Sequence, residues 1–182
     1  MTDLYLSLGS NLGDRHALLL RAIDLLARRV GRLIRASSFI ETKPWGYNSP
    51  NNYLNAVVLL QTTLTPHEVL VTTQAIERQL GRTTKTPTII PSSSLTASPS
   101  SASVALSTTA SSLQGEGVPL LPYSDRPIDI DILLYGDLHL TTPELTIPHP
   151  RMMQRDFVLR PLREIQLALS SLTTPPPSPL PR

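Results

Sequence analysis

The chain has 182 residues, no cysteine and a formal net charge of +2. That length suits one domain with a sizeable core rather than two, and the missing cysteines exclude disulfides, thiolate metal sites and cysteine nucleophiles. No apolar run approaches the ~20 residues a membrane span needs, and the opening MTDLYLSLGSNLGDR does not have the pattern of a signal peptide, so a soluble cytoplasmic protein is expected.

LYLSL (4–8) reads as a short strand. Gly9 and Gly13 punctuate a turn, Asp14 is a candidate N-cap, and Leu19, Ala22, Ile23, Leu26 and Val30 recur at helical spacing until Gly31. Arginines collect between Arg15 and Arg35; with little aromatic interleaving they read as a solvated helix face and the strand after it, not a nucleic-acid surface. RLIRASSFIET (32–42) predicts a second strand and NAVVLLQT (55–62) a third, joined by a turn-rich connection. Thr65, Pro66 and Glu68 then spell a capping box with proline at the first helical position. Val69, Thr73, Ile76 and Leu80 line one face of that helix, and Gly81 ends it.

Residues 86–122 differ in kind: 15 of the 37 are Ser or Thr, five are Pro, and Glu116 alone is charged. Without a periodic apolar face to offset ordering entropy, the segment is expected to be a disordered or loosely held insertion. DRPIDIDILLYGD (125–137) supplies a fourth strand, DFVLRPLREIQ a short C-terminal helix, and TTPPPSPLPR a frayed tail. The order strand, helix, strand, strand, helix, strand predicts an α+β, ferredoxin-like βαββαβ domain, with an antiparallel sheet and helices on one face. It would span 1–172, interrupted by 86–122 and followed by the tail 173–182.

Chemistry concentrates in a few places. Asp129 and Asp131 lie two apart on a strand, so they leave one face about 6.6 Å apart at the backbone. Two neighbouring carboxylates raise each other's pKa unless compensated, and a hard divalent cation compensates economically; a solvated edge strand is the plainer reading of the pair alone. Arg126 precedes the pair, and Arg82 and Lys85 follow the second helix, as suits phosphoryl transfer. The connection 42–54 carries Trp45, Tyr47 and Tyr53 with Asn55 beside it, which suits a flat heterocycle or, for Trp45 equally, ordinary core. His149 is fixed between two prolines, with Arg151, Arg155 and Phe157 after it. No HExxH, Walker lysine loop or G-x-S-x-G occurs.

Taken in order, LSLGSNLGDR, SSFIETKPWG, NYLNAV, IERQLGR, DRPIDIDILLYG and LTIPHPRMMQRDFVLRPLREI resemble the 6-hydroxymethyl-7,8-dihydropterin pyrophosphokinases of folate biosynthesis. The resemblance implies transfer of pyrophosphate from ATP to the pterin hydroxymethyl group, with release of AMP. It implies two Mg²⁺ ions bridged by Asp129 and Asp131 to the triphosphate. Tyr53 and Phe157 would sandwich the pterin, Asn55 would hydrogen-bond it, Thr42 and Lys43 would offer backbone groups, and Trp45 would act as a lid. Asp129 would lie near the reacting hydroxyl, and Arg82 and Arg126 would stabilise charge on the transferred group. Gln74, Glu77, Lys85, Tyr123, Ile132, Thr146, His149 and Arg155 would serve the ATP side. The expected partners are those two small molecules alone, on a monomer, with neither nucleic acid nor membrane.

Departures from the pattern are also expected to matter. The insertion falls in the family's catalytic lid, Thr83 and Thr84 replace a basic position, and Glu144 stands where some relatives carry a basic residue. Two alternatives follow: a pterin- or nucleotide-binding module whose lid is too disordered for efficient turnover, and another Mg²⁺-dependent transferase on the same fold.

Overall fold

The computed structural model describes residues 1–83 and 124–173. Thr84, Lys85, Tyr123, the insertion 86–122 and most of the tail lie outside the described residues. Strand β1 (Thr2–Ser10) leads through a turn into helix α1 (Arg15–Arg29), where the Asp14 side chain accepts from Ala17 N–H. Strands β2 (Arg32–Ala36), β3 (Ile40–Thr42) and β4 (Tyr53–Thr62) follow, then helix α2 (Pro66–Gln79) with both halves of its capping box formed. Strand β5 (Asp129–Tyr135) comes next, then a small hairpin of β6 (Leu140–Thr141) and β7 (Thr146–Ile147), and helix α3 (Asp156–Thr173). Among the described residues no helix is long and apolar enough to cross a membrane.

The sheet runs β2-β4-β1-β5, with β3 also on β4, and every pairing is antiparallel. Leu6 and Leu8 of β1, Val58 and Leu60 of β4, and Ile130 and Ile132 of β5 face α1 and α2, where they meet Leu19, Leu26, Val69 and Ile76. The alternate residues Val57, Leu59 and Leu133 face α3 and pack on Val158, Leu162 and Ile165. Burial on both faces explains why AVVLL in β4 is a continuous apolar run rather than an alternating one.

Two expectations are corrected. The predicted strand 32–42 is broken at residues 37–39, because side chains take over the ladder there. Ser37 Oγ accepts from Val57 N–H (3.0 Å), while Ser38 N–H and Oγ–H both donate to Glu164 of α3 (2.9 Å each). The C-terminal helix is not short: it has 18 residues, with Pro161 inside it, and it covers the sheet face opposite α1 and α2.

Candidate active site

The functional side chains gather on the α3 side of the sheet, beyond the end of α3's apolar contact. Asp129 and Asp131 are on the same face as Leu133, while Ile128, Ile130 and Ile132 point into the opposite core. On the neighbouring strand, Gly9 pairs with Asp129 and Ser7 with Asp131. A Cβ at Gly9 would meet Asn55 Oδ1 at 3.1 Å and Tyr53 at 3.5 Å, so glycine lets the cleft floor lie flat beneath those side chains. The resulting cleft is open to solvent. Its lining comprises Ser7, Gly9, Thr42, Lys43, Trp45, Tyr47, Tyr53, Asn55, Arg126, Asp129, Asp131, Arg155 and Phe157.

Three guanidiniums surround the carboxylate pair. Arg82, only 6 % exposed, bridges Glu77 Oε1 (2.6 Å) and Asp129 Oδ1. Glu77, on α2, also accepts from Ile130 N–H (2.8 Å), so one buried carboxylate fixes both Arg82 and the strand beneath the aspartates. Arg126 Nη2 donates to Asp129 Oδ2 (2.7 Å), and Arg155 Nη1 to Asp131 Oδ2 (3.4 Å). The same two arginines lie over aromatic rings. Arg126 is 5.7 Å from the Tyr53 centroid, and Arg155 is 5.3 Å from Trp45 and 5.6 Å from Phe157. Asn55 Nδ2 donates to Thr42 Oγ1 (2.9 Å), joining two adjacent strands at the cleft floor.

His149 reaches this site through a strand irregularity. The β1–β5 register shifts between Tyr5 and Leu6, which leaves Leu133 as an extra residue, and its carbonyl accepts from His149 N–H (2.9 Å). His149 Nε2 then lies 3.9 Å from Asp131 Oδ2. Burial, chiefly, holds its pKa below the usual imidazole value, although Asp131 pulls the other way. Arg151 N–H donates to Nδ1 (3.2 Å), so the neutral ring carries its proton on Nε2, toward Asp131.

Eleven residues singled out from the sequence line the cleft together: Thr42, Lys43, Trp45, Tyr47, Tyr53, Asn55, Arg126, Asp129, Asp131, Arg155 and Phe157. Arg82 and His149 adjoin its carboxylates. The others predicted among the described residues sit elsewhere. Glu77 is 2 % exposed behind Arg82, Ile132 is in the core under α1 and α2, and Gln74 and Thr146 are half-buried outside the lining.

Sequence reasoning missed a cluster beside the cleft. Asp125 accepts from Asn11, Tyr47, Ser49 and Asn51, the last at 2.6 Å. Burial, the largest influence, pushes the Asp125 pKa up, but those four donors together hold it below the ordinary carboxylate value. Tyr47 OH is also 2.9 Å from Tyr53 OH, and burial and these neighbours raise the Tyr47 pKa far above the usual phenol value. Asn11 and Asp125 are 114 residues apart, so no local spacing could have linked them.

The carboxylate pair is a hard-oxygen donor set of the kind Mg²⁺ accepts, and it fits a cation that takes its remaining ligands from substrate and water. Among the described residues no group of three or more His, Asp or Glu side chains could hold a metal unaided.

A family model for 7,8-dihydro-6-hydroxymethylpterin-pyrophosphokinase (HPPK) matches residues 5–93 and 94–167. The chain is 47 % identical over 166 residues to a Porphyromonas gingivalis 2-amino-4-hydroxy-6-hydroxymethyldihydropteridine pyrophosphokinase, covering 91 % of each. It is 35 % identical to the Bacillus subtilis protein of that name, over 88 % of this chain and 76 % of the relative. Solved structures of HPPK-DHPS, one of them from Plasmodium falciparum, share the fold with TM-scores of 0.56 and 0.55 at 13 % and 15 % identity. Each match covers 90 % of this chain but 40 % of the longer one.

Proposed function

The chain belongs to the 7,8-dihydro-6-hydroxymethylpterin-pyrophosphokinase family, and from that premise we infer that this cleft transfers pyrophosphate from ATP to 6-hydroxymethyl-7,8-dihydropterin in folate biosynthesis. The observation that carries the reading is the Asp129–Asp131 pair, ringed by Arg82, Arg126 and Arg155 at the mouth of an aromatic cleft. In the reaction the pterin hydroxyl oxygen attacks the β-phosphorus, its proton is lost, and AMP leaves with the bridging oxygen.

The chain's own groups divide the work. Tyr53 and Phe157 offer ring faces that now carry guanidiniums, and a flat heterocycle stacks on the same faces. Asn55, held by Thr42, reads the heterocycle edge. Arg82 is preset by Glu77 in a largely buried post, so it meets developing negative charge with little reorganisation. Arg126 and Arg155 balance the carboxylates in the free protein and turn toward the phosphates when those arrive. Asp129 and Asp131 would hold Mg²⁺, two ions in this reading, whose charge would lower the hydroxyl pKa and neutralise phosphate charge. His149 presents an N–H toward the same phosphates, Gln74, Thr146, Lys85 and Tyr123 make up the ATP side in this reading, and Glu77 and Ile132 support it from buried positions.

The sheet order β2-β4-β1-β5 supports a ferredoxin-like core for the same domain. β5 pairs with β1 across the insertion, which supports reading 1–172 as one pyrophosphokinase domain interrupted by 86–122, with 173–182 as a tail. We take it to act in the cytoplasm as a monomer. The test is ATP labelled on its γ-phosphate, mixed with Mg²⁺ and hydroxymethyl-dihydropterin. Label in a pterin diphosphate with stoichiometric AMP is expected, whereas ADP and a pterin monophosphate, or no product above a pterin-free control, contradict the reading.

A further inference from the structure

We propose that Asp125 is a positioning residue that ties the aromatic loop 43–52 to Arg126, so that the ring slot and the charge-stabilising arginine are built as one unit. The inference rests on the reading of the cleft given above, but its geometry is independent of any ligand. Asp125 Oδ1 accepts from Asn11 Nδ2 (2.7 Å) and Tyr47 OH (2.9 Å). Its Oδ2 accepts from Ser49 Oγ (2.8 Å) and Asn51 Nδ2 (2.6 Å). Four donors from two segments therefore converge on one half-buried carboxylate. An ionised carboxylate is acceptor-only with room for four such bonds, so no other side chain of this length satisfies the set.

The adjoining residue is Arg126, and its backbone is gripped by the same partner. Arg126 N–H donates to Asn11 Oδ1 (2.7 Å), and Asn11 N–H donates to the Arg126 carbonyl (3.2 Å). That commits the Asn11 oxygen to Arg126 and turns its amide N–H toward Asp125, which fixes the register of the segment leading into β5. On the loop side, Tyr47 carries the connection onward to Tyr53 OH (2.9 Å), the ring beneath the Arg126 guanidinium. Loop, ring and arginine are thus closed into one circuit through Asp125. A shift of about 1 Å in such a constellation costs up to roughly 100-fold in rate.

Trp45 is the only tryptophan and sits on the tied loop, so its fluorescence reports the tie directly in the full-length protein. Asp125→Ala is expected to raise acrylamide quenching of Trp45 about twofold or more in the ligand-free protein, because an untied loop opens locally without global unfolding. Asn51→Ala tests the same tie from the loop side should the first variant fail to fold, and Asp125→Asn, which keeps one acceptor, should fall between Ala and wild type. In turnover, the pterin KM should rise and kcat fall, about 10- to 100-fold together in kcat/KM, with the ATP KM within about twofold of wild type. Unchanged quenching in a folded Ala variant, or an ATP KM that moves as far as the pterin KM, overturns the proposal. If the wild type forms no pterin diphosphate, the functional reading fails, and the quenching comparison still decides the role of Asp125.

Discussion

The two faces of β5 are made by alternate residues of one strand, yet they do opposite work. Ile130 and Ile132, with Ile128 just before the strand, are at most 5 % exposed and are held by α1 and α2. Asp129 and Asp131 face a cleft and are held by guanidiniums and an imidazole. The isoleucine face fixes where the strand lies, and in the proposed function the aspartate face uses that position for chemistry. Substitutions on one face should therefore be read out in stability, and on the other in turnover.

The largest expected effect is on the cleft face. Asp131→Ala should lower kcat by about 1,000-fold or more, since the proposed cation would lose one of its two carboxylate ligands, while thermal unfolding shifts little. Glu77→Ala breaks the comparison on purpose, because Glu77 serves both faces through Arg82 and Ile130 N–H. Leaving Arg82 without its buried partner should cost about 3–5 kcal/mol in denaturant unfolding and also reduce turnover. Ile130→Ala should cost about 2–5 kcal/mol of stability by cavity formation, with both KM values unchanged in the folded fraction. Gly9→Ala places a Cβ 3.1 Å from Asn55 Oδ1 and should weaken pterin binding about tenfold by titration, with little change for ATP.

The smallest effect is in pH. The Asp125 pKa is lowered in the folded state, so its contribution is present above the unfolded value and is lost as pH falls through the folded one. Trp45 quenching should therefore stay flat down to about pH 3.9, the unperturbed carboxylate value, and rise only below it.

Much of the scaffold was legible because its signals are local. The Thr65–Pro66–Glu68 capping box, the stop at Gly31 and the alternation in IDIDI each lie within a few residues of what they determine. The break in strand 32–42 was not legible, because Glu164, 126 residues away, supplies the competing acceptor. The β6–β7 hairpin has two-residue strands, too short for any periodicity to show. In the site, residue chemistry marked the aspartates, the arginines and the loop aromatics. Glu77 was expected to serve the ATP side, and nothing local marked it as the buried support of Arg82. Asp125 was passed over beside two more conspicuous aspartates, since its meaning lies in four donors between 74 and 114 residues away.

The most direct measurement is pterin-dependent AMP release by wild type and Asp129→Ala, compared at equal folded concentration. Pterin-dependent AMP from the wild type is predicted, with none above background from the variant despite a near-native melting curve. Equal AMP release from both proteins would contradict a catalytic role for the aspartate face of β5.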